Sequence, residues 1–190
     1  GIGFQSLMIF EEILHNDELK KCKSVMEMGS QIIDTHYQER AKIVIWSQNA
    51  KYNNEGWISA KDFYFGIGFQ EYNSIDADGE RGSLIFDLNL NIKEHYKFDK
   101  KYDLVTNFGT SEHVFNQNSC FENIHNLTND NGYMLHIVPF EGYFNHGFFN
   151  YNPILFYDLA IYNNYEIIGF WYMSERASHF TTYSGRSFVK

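Results

Sequence analysis

The stretch YDLVTNFGTSEHV, residues 102–114, decides the fold class. Its first part is β-prone and largely apolar, and Gly109 ends the run, so a buried strand over 102–108 is predicted. Further short strands and amphipathic helices alternate on both sides of it. Predicted strands cover 24–28, 72–76, 83–88, 133–138 and 165–173, and predicted helices cover 4–15, 60–65, 115–129 and 153–163.

This alternation is typical of an α/β protein with a Rossmann-like, mostly parallel twisted sheet and helices on both faces. No linker, repeat or low-complexity tract interrupts the sequence, so 1–190 is predicted to be one domain, with 1–20 as an N-terminal helical cap. Ser59 has the character of a helix N-cap with Asp62 at the third helical position. Asn131-Gly132 is predicted to close the helix over 115–129. The pattern leaves helix and irregular turn open for 31–42, and it is ambiguous over 43–58.

Composition excludes several classes of protein. The 24 Asp and Glu against 15 Lys and Arg give a net charge of −9, which disfavours binding to nucleic acid. No apolar run is long enough to span a membrane. Cys22 and Cys120 lie far apart and form no metal-binding pair, so buried free thiols are expected. With no signal peptide expected either, a cytoplasmic location is predicted.

Polar residues follow the predicted strands, at the edge of a parallel sheet where ligands bind. Glu27 and Gly29 end the first strand. Asp76, or Asp78, ends the second and could accept both hydroxyls of a ribose. Asp87-Leu88 and Asn107-Phe108-Gly109 end the next two. The order of these residues along the chain indicates a nucleoside-bearing ligand, although a strand-terminal Asp is often only a turn residue.

With these motifs the sequence resembles a class I S-adenosylmethionine-dependent methyltransferase, of the bacterial small-molecule type. The segments that carry the resemblance are EMGSQ (27–31), AKDFYFGIGFQEYNSIDADG (60–79), GSLIFDLN (82–89), YDLVTNFGTSEHV (102–114) and HGFFNYNP (146–153). The usual GxGxG turn of the family is reduced to Gly29 followed by Ser30 and Gln31. The spacing from Glu27 to Asp76 is longer than in a minimal member, which suggests an insertion over 43–60.

The resemblance implies S-adenosyl-L-methionine as cofactor. It implies that Glu27 and Gly29 lie by the methionine part, Asp76 binds the ribose, Asp87 and Leu88 flank the adenine, and Asn107 and Gly109 line the sulfonium end. Glu112 could hydrogen-bond the cofactor, orient His113 or cap the next helix.

Methyl transfer to oxygen or nitrogen can require a proton acceptor, and imidazole suits that role. His113 and His146 follow predicted strands and are the predicted catalytic residues. His136 lies within a strand and is expected to be packed. Glu112, His113, Glu141 and His146 have ligand chemistry for a cation, but no HxH or HxxxH pair supports one, so no metal is predicted.

The resemblance thus implies a methyltransferase that acts on an oxygen or nitrogen of a small molecule, and a saccharide or phosphorylated metabolite is the expected class of acceptor. The aromatic residues of 143–151 could wall the acceptor pocket or form a homodimer patch. The reduced glycine turn leaves a catalytically silent binding or assembly domain as the alternative. A nicotinamide-dependent enzyme is discounted because 27–34 lacks GxGxxG.

Overall fold

The computed structural model describes residues 1–15, 17, 19–52, 56–173 and 181–182. Four strands form one sheet: β1 (Ser24–Met28), β2 (Glu71–Ile75), β3 (Tyr102–Phe108) and β4 (Thr128–Ile137). Their order across the sheet is β2-β1-β3-β4, and every pair is parallel. The predicted parallel sheet is therefore confirmed, and the carboxyl ends of all four strands lie at one edge.

Helices cover both faces of this sheet, as the alternation predicts. The helices are α1 (Phe4–Ile13), α2 (Gln38–Gln48), α3 (Ala60–Gly66), α4 (Ile92–Tyr96), α5 (Gln117–Leu127) and α6 (Ile154–Tyr162). Val25 and Leu104 pack with α1, α2 and α3, whereas Met26 and Val105 point to the opposite face and pack with α4 and α5. Alternate residues of each strand thus feed two separate cores.

The first core is rich in aromatic rings. The ring of Phe10 makes edge-to-face contacts with Phe63, Tyr64 and Phe108, at centroid distances of 5.2, 5.7 and 6.0 Å. Such pairs add to the hydrophobic stabilisation of the buried area. Because these rings come from α1, α3 and β3, they fix the N-terminal helix against the sheet.

The two helices between β1 and β2 settle the ambiguous part of the sequence. A short 3₁₀ turn over Thr35–Tyr37 leads into α2, so the helix begins later than residue 31 and runs through residue 48. Ser59 accepts a hydrogen bond from the Asp62 backbone N–H, and the Asp62 carboxylate accepts one from the Ser59 N–H, which confirms the predicted cap of α3. The suggested insertion over 43–60 thus contains the end of α2 and the start of α3, and its status as an insertion stays a prediction.

Two predicted strands are wrong. Within 83–88 only Leu84 pairs, through an isolated parallel bridge to Ile75, because the Asp87 carboxylate turns the chain by accepting from the Asn89 N–H. Within 165–173 only β5 (Trp171–Tyr172) is extended, and it pairs antiparallel with β6 (Thr181–Thr182) outside the main sheet. Phe170 instead stacks on Tyr157 of α6 at 4.8 Å.

The predicted turn at Asn131-Gly132 lies inside β4. Helix α5 passes directly into this strand at Thr128, and Asn131 adopts a positive φ of 61° where the register to β3 shifts. Turn-forming residues therefore produce an irregularity within a strand.

Both cysteines are buried free thiols, as expected, and burial raises the pKa of Cys22 to about 11 and that of Cys120 to about 12. Among the described residues, no helix has the length and apolarity that crossing a membrane requires.

Candidate functional site

The loops after β1, β2 and β3 are joined to one another by hydrogen bonds. The Gly29 N–H donates to the Ile75 carbonyl at 2.8 Å, and the Ser30 N–H donates to Asp76 Oδ2 at 2.8 Å. From the other side, Thr110 Oγ1 donates to the Met28 carbonyl at 2.6 Å. The structure thus places the predicted residues Gly29, Asp76 and the 109–113 segment at one edge of the sheet.

Gly29 turns the chain at the end of β1 with a φ of +83°, a conformation that favours glycine. A Cβ at this position would lie 2.4 Å from Thr110 Oγ1 and 2.8 Å from Gln31 Nε2. Gln31 Nε2 also donates to Thr110 Oγ1 at 3.1 Å and to the Met28 carbonyl at 3.2 Å. The side chains of Gln31 and Thr110 therefore fill space beside the turn. In the GxGxG turn that is usual for the family, glycines would leave such space open.

Asp76 retains capacity for a ligand. Its Oδ2 accepts from Ser30, and no described residue donates to Oδ1. The side chain is half-buried at the end of β2. A carboxylate with one fixed and one unpaired oxygen suits a ribose hydroxyl, so this end of the site fits the cofactor that the resemblance implies. The neighbouring Asp78 is exposed, and its carboxylate accepts from the Glu80 N–H instead.

Glu27 has no exposed surface, and its carboxylate lies between the Gly29 turn and the tyrosines of α3 and β2. Its carboxylate accepts from the Tyr64 hydroxyl at 3.1 Å, the Tyr72 hydroxyl at 2.7 Å and the Gln31 N–H at 3.3 Å. Desolvation raises the pKa of Glu27 to about 7, against the lowering effect of these donors. The side chain therefore supports the turn, and a direct contact with the methionine part stays a prediction.

Asp87 and Leu88 have different surroundings. Asp87 is exposed and holds a turn with Asn89, whereas the Leu88 side chain is only 7% exposed and packs in the second core. Asn89 accepts from the Asn116 N–H at 2.9 Å, which ties this turn to the segment after β3. The turn thus lies beside the other loops, and its contact with an adenine ring stays a prediction.

Asn107 and Gly109 shape the corner after β3. Asn107 is buried; its Nδ2 donates to Ser111 Oγ at 2.8 Å and its Oδ1 accepts from the Ser111 N–H at 3.0 Å. Gly109 has a φ of +69°. Asn107 therefore positions the 3₁₀ turn Ser111–His113, and the predicted contact of both residues with the sulfonium end stays a prediction.

His136 is packed, in agreement with the expectation for a histidine within a strand. Its ring lies 5.2 Å from Phe156 and 5.9 Å from Phe121, between centroids. Desolvation lowers the pKa of His136 to about 4, so the ring is neutral near pH 7. The half-buried ring thus packs among aromatic side chains, as expected, and carries no positive charge near pH 7.

Glu112, His113 and His146 form a cluster at the end of β3. Glu112 is 1% exposed, and neither of its carboxylate oxygens has a hydrogen-bond donor among the described residues. His146 Nε2 lies 3.4 Å from Glu112 Oε1, an ion pair when the imidazole is protonated but longer than an ordinary hydrogen bond. The rings of His113 and His146 are 5.0 Å apart between centroids. The structure thus brings together two predicted catalytic histidines from separate loops.

Exposed aromatic side chains surround this cluster. Phe115 and Phe148 meet edge to face at 6.1 Å, and the ring of Tyr143 lies 5.4 Å from that of His146. Phe144 is almost fully exposed. A groove of about 2540 Å³ runs along β4 and α6 and reaches Gly109, Glu112 and His146. These features place an apolar surface beside the cluster, and the role of 143–151 as the wall of an acceptor pocket or as a dimer patch stays a prediction.

Three residues that position the site were missed at the level of sequence: Tyr64, Tyr72 and Thr110. The tyrosines donate to Glu27 from α3 and β2, and Thr110 closes the Gly29 turn. A buried carboxylate requires hydrogen-bond donors, so the tyrosines within 60–75 were the sequence feature that could have indicated them. Nothing in the sequence pattern pairs them with Glu27.

A family model described as "Methyltransferase domain" matches residues 33–190 of the chain. The matched range includes Asp76, Glu112 and both histidines of the cluster, and it begins after the Gly29 turn. No curated protein and no solved structure matches the chain.

Proposed function

Because the chain belongs to the methyltransferase domain family, whose methyl donor is S-adenosyl-L-methionine, we propose that it methylates an oxygen or nitrogen of a small molecule. A saccharide or a phosphorylated metabolite is the proposed class of acceptor. The observation that carries the proposal is the clustering of Glu112, His113 and His146 at the same sheet edge as Asp76. The family match supports an enzyme over the catalytically silent domain.

The cofactor supplies a methyl group already activated on sulfonium sulfur. We assign its ribose to Asp76, through the unpaired Oδ1, and its adenine to the turn at Asp87 and Leu88. Gly29 would pass close to the methionine part and Gly109 close to the sulfonium end, since neither has a side chain at the loop surface. The protein's remaining task is to hold the acceptor in line with the methyl group and to keep water out.

His113 and His146 are the proposed catalytic residues because both are exposed, their rings lie 5.0 Å apart, and His146 lines the groove. Each can act on the proton that an acceptor hydroxyl or amine loses as its bond to the methyl carbon forms. Glu112 lies behind them, where its carboxylate orients His146 through the 3.4 Å contact. The aromatic side chains of 143–149 would cover the bound acceptor.

The cofactor part of the proposal is tested by calorimetry with S-adenosylhomocysteine. Asp76→Asn keeps an acceptor for the Ser30 N–H but removes the charge offered to the ribose. Hydrogen bonds to charged groups contribute about 1–2 kcal/mol more than neutral ones, so affinity should fall by roughly 5- to 30-fold. Asp78→Asn is the matched control and should bind as the wild type does. Equal affinity in the two variants would contradict the assignment of Asp76.

The acceptor is found by incubating the enzyme with S-adenosylmethionine and pools of saccharides, phosphorylated metabolites and amines. Mass spectrometry should detect gain of one CH₂ unit in an acceptor, and His146→Ala should lower that gain without changing the affinity for S-adenosylhomocysteine. Methylation of a peptide or nucleic acid alone would refute the proposed acceptor class.

Location and partners belong to the proposal as well. Buried, unpaired thiols at Cys22 and Cys120 support a cytoplasmic location. The net charge of −9 supports action without nucleic acid or membrane lipid. We propose that the exposed aromatic side chains form a homodimer contact, and sedimentation would measure whether the protein is a monomer or a dimer.

A further inference from the structure

We propose that Glu112, His113 and His146 bind one divalent transition-metal cation. The inference stands on the geometry of the cluster and holds whatever the methyl acceptor is. It replaces the expectation, drawn from the lack of an HxH or HxxxH pair, that the chain has no metal site. Here the ligands come from two loops, so no short sequence spacing could reveal them.

The ligand atoms are already close to the geometry of a metal centre. One oxygen of Glu112 and one ring nitrogen of each histidine all lie within 4.8 Å of one another. In a tetrahedral zinc site with bonds of 2.0–2.1 Å, two ligand atoms are about 3.3 Å apart. The Nε2 of His146 and Oε1 of Glu112 are 3.4 Å apart, which matches that value. The His113 ring is exposed and lies 5.0 Å from that of His146, so its nitrogen can approach the same point.

The unpaired carboxylate of Glu112 is a second observation that points to a ligand. A buried carboxylate without donors is strongly disfavoured unless a cation or hydrogen bonds compensate it. Both of its oxygens lack a donor among the described residues, although the side chain is 1% exposed. Glu27, the other buried carboxylate discussed above, has three donors. The contrast indicates that the partner of Glu112 is a bound group.

The loop after β4 is built around Glu112. The N–H groups of Phe148 and Phe149 donate to the Glu112 carbonyl at 2.7 and 3.3 Å. A Cβ on Gly147 would lie 2.8 Å from that carbonyl oxygen and 2.9 Å from the Glu112 Cγ. These contacts hold His146 beside the carboxylate, so the approach of the two ligands is imposed by the backbone.

The donor set selects the type of metal. Two imidazole nitrogens and one carboxylate oxygen suit Zn²⁺, Fe²⁺, Mn²⁺ or Co²⁺, whereas Mg²⁺ and Ca²⁺ prefer oxygen ligands alone. Three protein ligands leave at least one coordination position, and because both histidines are exposed and His146 lines the groove, this position would be open to an acceptor. With the cation bound, the metal-ligating nitrogens of His113 and His146 cannot accept a proton, so this role replaces the proton transfer proposed above. The histidines then hold the cation beside the acceptor's oxygen or nitrogen, and the acceptor proton goes to solvent.

The test is calorimetry of Zn²⁺ binding to chelator-treated, tag-free protein. We expect one equivalent to bind to the wild type. His113→Ala and His146→Ala should each weaken binding by more than the ~10- to 100-fold that loss of an outer-shell partner costs. His36→Ala is the matched control, since His36 is an exposed histidine paired with Asp34 at 2.6 Å. Because His36 is not one of the proposed ligands, His36→Ala should bind Zn²⁺ with an affinity within about twofold of wild type.

Co²⁺ gives an independent readout. Bound to the wild type it should show visible absorption of a protein-ligated ion, and His146→Ala should abolish that absorption while circular dichroism confirms a folded protein. Absence of a one-equivalent site, or equal affinity in wild type and both histidine variants, would overturn the inference. So would a Glu112→Gln variant that loses affinity for S-adenosylhomocysteine while no metal binds, because the cation beside Glu112 would then be the ammonium group of the cofactor. Binding of S-adenosylhomocysteine to the same samples separates failure of the metal site from failure of the proposed function.

Discussion

Glu27 makes the stability of this protein depend on pH in a direction that can be calculated. Burial raises the pKa of its carboxyl from the ordinary 4.5 to about 7 in the folded chain. Between pH 4.5 and pH 7 the native state therefore holds a proton that the unfolded chain has released. The free energy of unfolding therefore falls as pH rises across this window, and above pH 7 the ionisation of Glu27 changes it no further. The total change is about 3 kcal/mol, because each pKa unit corresponds to about 1.4 kcal/mol.

The perturbation is Glu27→Gln, which keeps the size and polarity of the side chain but cannot ionise. The variant should lack the decline, so its stability relative to wild type should rise by about 3 kcal/mol between pH 4.5 and pH 8. Tyr64 and Tyr72 can turn their hydroxyls to accept from the new amide. The measurement is urea unfolding followed by circular dichroism at several pH values across this range.

Glu94→Gln is the control for the change in net charge, because Glu94 is an exposed carboxylate on α4. The difference between Glu94→Gln and wild type measures the effect of removing one surface charge at each pH. If the difference between Glu27→Gln and wild type changes with pH no more than that of Glu94→Gln does, Glu27 does not carry a raised pKa, and the account of a buried carboxylate below the Gly29 turn is refuted.

Two further predictions concern the elements that frame the site. Ser59→Ala removes the cap of α3 and should cost about 1 kcal/mol in urea unfolding, whereas Ser47→Ala near the end of α2 should cost less; equal losses would argue against the cap. Gly147→Ala places a Cβ 2.8 Å from the Glu112 carbonyl oxygen, so it should lower the free energy of unfolding by about 1–3 kcal/mol and weaken Zn²⁺ binding. Gly3→Ala is the control: its Cβ would lie 3.7 Å from the nearest atom, and its stability should match the wild type. An unchanged Gly147→Ala protein would show that the loop does not depend on this close approach.

The sequence predicted those parts of the fold that depend on local chemistry. The run before Gly109 marked β3, and the capping pair Ser59 and Asp62 marked the start of α3. Each signal lies within a few residues, where backbone conformation and side-chain hydrogen bonding are coupled directly. The wrong prediction for 83–88 has the same origin, because composition is a local property. The segment has the composition of a strand, but a strand also requires pairing with another strand, and only Leu84 pairs.

For the site, sequence alone determined which residues stand at the ends of strands, and therefore that Gly29, Asp76 and Gly109 share one edge. Tertiary structure decided what their side chains do. Glu27 turned inward to Tyr64 and Tyr72, which are 37 and 45 residues away along the chain. Glu112 contacts His146, which lies in the loop after β4. Such partners are chosen by packing of distant segments, and no periodicity or spacing within one segment records that choice.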